Sequence, residues 1–125
     1  MKRVLCFLLP LLSSFICLPA HAYELEAGTV TICDTQNQVE RLAQLFDGDL
    51  QVAVSAINDE EHNPSACGIA DVAFVQGPGL GVARSGSHAF RIVPIVVVAA
   101  DTPTGYRRVA PALFFTLVEV EEYAV

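Results

Sequence analysis

The sequence predicts an α+β domain: a mostly antiparallel sheet with a two-helix hairpin packed on one face, preceded by a cleaved N-terminal signal helix. Three observations carry this. Helical spacing is confined to residues 35–62, strand patterning dominates everything after residue 70, and two cysteines bracket the helical segment. Helices early and strands late point to segregated layers rather than to alternating βαβ units.

Residues 1–22 read as a secretory signal peptide. Lys2 and Arg3 give a positive start, and residues 4–18 are apolar except for Pro10, Ser13 and Ser14. Pro19 then precedes Ala20-His21-Ala22, a small-x-small cleavage site in which Ala20 and Ala22 are the recognised residues. Cleavage there makes residues 23–125 a single small exported domain, located in a periplasm or outside the cell. The apolar run is shorter than the ~20 residues a spanning helix needs, so no stable membrane span is expected after cleavage. Bulky Ile16 before Cys17 argues against lipoprotein processing.

Removing the leader sharpens the charge. All 14 acidic residues lie beyond residue 22, against five arginines: Arg41, Arg84, Arg91, Arg107 and Arg108. The net charge falls from −7 for the whole chain to −9. Such a domain repels phosphate backbones and anionic membrane surfaces, which excludes nucleic acid as an expected partner.

The first strand is read at residues 29–33, where Val30 and Ile32 supply β-branched side chains. Thr35 and Gln38 then form a T-x-x-Q capping box. Val39, Leu42, Ala43 and Phe46 follow at helical spacing. Asp47-Gly48-Asp49 ends this helix and starts another, whose stripe is Leu50, Ala53, Val54 and Ile57. Asn63-Pro64-Ser65 stops it. Strands are expected at residues 72–76, 82–84 and 89–100, with Ser85-Gly86-Ser87 as a hairpin turn. Pro94 cannot donate to a ladder, so a bulge or an edge-facing position is expected there. Asp101-Thr102-Pro103-Thr104-Gly105 is a turn. Residues 106–109 and 113–121 are read as two further strands. In the last, Phe114, Thr116 and Val118 share one face and Leu113, Phe115 and Leu117 the other, with neither face assigned to the helices.

Cys6 and Cys17 belong to the leader, which leaves Cys33 and Cys67. Their wide separation suits neither a redox C-x-x-C pair nor a zinc site, which needs close-spaced ligands. A structural disulfide that closes the helical hairpin into a loop is expected.

Candidate chemistry is sparse. Asp59-Glu60-Glu61-His62 groups oxygen ligands with an imidazole, but successive helical residues point about 100° apart, so only Asp59 and His62 share a face. A solvated helix end is the simpler reading. Ser85-Gly86-Ser87-His88 places hydroxyls beside an imidazole, but without a G-x-S-x-G elbow or an evident orienting acid. Gly77-Pro78-Gly79-Leu80-Gly81 lacks both G-x-G-x-x-G and the Walker lysine, and reads as a turn. Arg107 and Arg108 point to opposite faces of a strand, and one of them is a candidate small-anion site or a partner for Glu119 or Glu121. The acidic tail from Glu119 to Val125 is a candidate edge for strand addition.

The expected function is therefore a non-catalytic binding or interaction module, stabilised by the Cys33–Cys67 disulfide, with an unidentified protein or small molecule as partner and no cofactor. The alternatives are a small exported hydrolase built on His62 or His88, and an accessory envelope subunit assembling through a sheet edge.

Overall fold

A computed structural model describes residues 24–120; the signal region, with Ala20 and Ala22, and the tail from residue 121 lie outside them. The order is β1 (Leu25–Cys33), α1 (Gln36–Leu45), α2 (Leu50–Glu61), β2 (Cys67–Gln76), β3 (Gly81–Ser85), β4 (His88–Thr102) and β5 (Gly105–Val120). The fold is α+β, with a five-stranded antiparallel sheet and two helices packed against it.

Local chemistry explains the helices. Thr35 caps α1 by accepting from the Gln38 amide at 3.2 Å, while the Gln38 side chain accepts from the Thr35 amide at 3.0 Å. Asp49 caps α2 by accepting from the amides of Gln51 and Val52. Gly48, at φ 117°, supplies the left-handed backbone that the tight interhelical turn requires. At its far end α2 is tied to β2 by Asn58, whose Oδ1 accepts from the Cys67 amide at 2.9 Å. The Asn58 Nδ2 donates to the carbonyls of Pro64 and Cys67 at 3.0 Å.

The sheet closes on itself. β2 pairs with β1 along one edge and with β4 along the other, since residues 72–75 take part in both ladders. β4 pairs onward with β5, and β5 returns to β1 at Ile32–Thr116 and Cys33–Phe115. The Thr116 hydroxyl also donates to the Thr31 carbonyl. β1, β2, β4 and β5 thus form a ring whose inner face holds Val72, Phe74, Val93, Ile95 and Val97, with Val30, Ile32, Phe114 and Val118 beside them. The helices pack on the outer face, where Val39, Leu42, Ala53, Val54 and Ile57 meet Cys33, Cys67, Ile92, Phe115 and Leu117. The Phe115 face therefore meets the helices, and the Phe114 face lines the ring.

Three expectations are corrected. β1 and β2 start earlier than the sequence suggests, because the first residues of each pair with the last residues of the other, from Leu25–Val75 to Cys33–Cys67. Residues 105–120 form one strand instead of two; the register shifts opposite Val98, and Pro111, which has no N–H, falls in that irregular stretch. The bulge in β4 lies at Val98 and not at Pro94, since both ladders of β4 shift there. Pro94 takes the other expected arrangement, an edge-facing position at the gap between β2 and β3, and its carbonyl accepts from the Gly77 amide at 2.8 Å. The Gly-Pro-Gly segment is that gap. A Cβ on Gly77 would stand 3.0 Å from the Pro94 ring, and one on Gly79 3.0 Å from the Arg91 side chain.

Candidate functional site

The two helices cover only one end of the outer sheet face. Beyond them a row of apolar side chains crosses four strands in direct register: Leu25 on β1, Val75 on β2, Val96 on β4 and Leu113 on β5. Leu25 is 66% exposed and Leu113 58%. The next row, Ala27–Ala73–Ala99–Arg108, is paired in the same way. Its three alanines leave room above the backbone. They form the floor of an open groove of about 890 Å³, whose other lining residues are Leu25, Val98, Tyr106, Arg108, Val109 and Pro111.

The Val98 bulge builds this groove. It reverses the side-chain alternation of β4, so that Ala99 falls on the outer face beside Ala73. Tyr106 forms part of the groove wall and reaches across β4, donating its hydroxyl to Asp71 Oδ1 on β2 at 2.6 Å. That hydrogen bond, with partial desolvation and the nearby Asp71 and Asp101 charges, pushes the Tyr106 pKa up to about 12. Arg108 lies on the same face as Tyr106. Among the described residues it forms no hydrogen bond or ion pair.

The expected disulfide is present. Cys33 and Cys67 are bonded, with their Cα atoms 4.0 Å apart, as directly paired residues of β1 and β2. The Asp59–His62 segment is dispersed, as helical geometry requires. Glu60 forms an ion pair with Arg41 of α1 at 2.9 Å, and Glu61 accepts from Gln38 at 2.9 Å. Asp59 and His62 do share a shallow cleft with Ser55 and Asn58, but no group of three metal-binding side chains exists among the described residues.

His88 has the orienting acid that the sequence did not reveal. Its Nδ1 lies 2.9 Å from Glu119 Oε2, and its ring packs edge-on against Phe46 at a centroid distance of 4.9 Å. The arrangement does not continue to a nucleophile at Ser85, whose hydroxyl donates to the Phe46 carbonyl at 2.5 Å. The Glu119 side chain is 58% exposed, so this pair braces the β3–β4 hairpin against the end of β5. Glu119 is also not a partner of Arg107 or Arg108, which stand opposite Ala100 and Ala99 near the other end of β5.

The alanines and Tyr106 carry no sequence motif; Arg108 is one of the two arginines the sequence offers as a small-anion site. Among the described residues no helix is long and apolar enough to cross a membrane. No protein-family model, curated protein or solved structure matches this chain.

Proposed function

We propose that the protein is an exported binding module that engages its partner through the outer sheet face left uncovered by the helices. The observation that carries the reading is the apolar row Leu25–Val75–Val96–Leu113, continuous with the alanine-floored groove. Contiguous exposed apolar surface of this kind costs solubility and marks sites of association. The leader-like start of the sequence supports export, and the disulfide suits an oxidising compartment.

Affinity purification from the protein's own compartment, followed by mass spectrometry of what is retained, tests the proposal. Leu113→Asp is the informative variant, and Val52→Asp on the exposed side of α2 is the control. The reading expects a retained molecule that is lost with Leu113→Asp and kept with Val52→Asp. Equal retention by all three proteins would contradict it.

A further inference from the structure

We infer that the groove binds an amphipathic organic monoanion, with its apolar body on the Ala27–Ala73–Ala99 floor and its head group on Arg108. The inference rests on the binding reading above and gives that face a ligand class. The groove's volume, about 890 Å³, falls in the range of small-molecule sites. Its floor is apolar and shallow-chained, and its walls are Leu25, Val98, Val109 and Pro111. One cation, Arg108, stands among these lining residues.

Charge selects the head group. In a chain of net charge −7, Arg108 carries a full positive charge with no partner among the described residues. A guanidinium left beside apolar surface favours an oxyanion, to which it can donate two parallel hydrogen bonds. Two acids share this face two residues further along their strands, Asp71 beyond Ala73 and Asp101 beyond Ala99. One Asp71 oxygen already accepts from Tyr106. Their combined field opposes a second negative charge, so a carboxylate or sulfonate fits better than a phosphate dianion. The acids also keep Tyr106 protonated and fixed as a wall.

Calorimetric titration of the oxidised protein with decanoate, decyltrimethylammonium and decyl glucoside, each below its micellar concentration, tests the assignment. Decanoate should bind about tenfold tighter than the neutral glucoside, and the cation more weakly than either. Arg108→Gln should abolish the preference for decanoate while leaving glucoside affinity intact, and Arg108→Lys should restore part of it. Ala27→Phe, at an exposed position, should weaken all three by filling the groove. If decanoate binds no tighter than the glucoside, or if Arg108→Gln leaves its affinity unchanged, the monoanion assignment is overturned. The broader binding face would then still stand or fall on the Leu113→Asp experiment. Absence of binding by all three overturns the groove as an amphiphile site.

Discussion

Reducing the disulfide should cost this domain a large part of its stability. The bond joins residues 34 positions apart, and that loop contains both helices. Chain entropy alone gives about 4 kcal/mol for a loop of this length. Reduction leaves the sulfur atoms in place, and the cysteines are 1% and 4% exposed, so the core keeps its volume. The loss therefore reports the cross-link and not a cavity. Urea denaturation with and without dithiothreitol, followed by circular dichroism, measures it. With a slope of about 1–2 kcal/mol per molar, the midpoint should fall by about 2–4 M. Hydrogen exchange of the reduced protein should accelerate first in α1 and α2, the elements the bond encloses. Unfolding free energies equal within about 0.5 kcal/mol would refute the reasoning, because residual β1–β2 pairing in the unfolded chain would then hold the loop closed without a covalent link.

Three further outcomes follow from named contacts. Ultraviolet titration should show a tyrosine ionising near pH 12, removed by Tyr106→Phe and moved back towards 10 by Asp71→Asn. Because the folded-state value is the higher one, the stability it contributes is whole below about pH 10 and is lost as pH rises through 12. Gly77→Ala should destabilise by about 1–3 kcal/mol, since the new methyl meets the Pro94 ring within the ladder gap. Gly79→Ala, which meets only the flexible Arg91 chain, should cost clearly less, with thermal melts of both variants as the measurement. Asn58→Ala removes two hydrogen bonds to Cys67 at the start of β2 and one to the Pro64 carbonyl in the preceding loop, and should cost about 2 kcal/mol by urea denaturation.

Local signals were legible in the sequence where one residue type has one use. Thr35 with Gln38 and Asp47-Gly48-Asp49 fixed the helix boundaries because caps act within a few residues. The cysteine pairing followed from elimination. The early residues of β1 and β2 were hidden because Gly28, Gly68 and Asp71 are poor strand formers held there by pairing with each other's strands. Closure of the ring depends on β2 meeting β4 across some 20 intervening residues, and no local pattern encodes that contact. The groove is less visible still. Ala27, Ala73, Ala99 and Arg108 come from four strands, and a bulge at Val98 brings Ala99 to their face. The His88–Glu119 pair was missed for the same reason, since its members are 31 positions apart.

The claim that the uncovered outer face is the contact surface is tested most directly by amide and methyl chemical-shift mapping of the oxidised protein during titration with decanoate. The account predicts saturable shifts concentrated at Leu25, Ala27, Ala73, Ala99 and Arg108, with α1 and α2 unmoved. Shifts centred on the helices, or no saturable shift anywhere on the sheet, would contradict it.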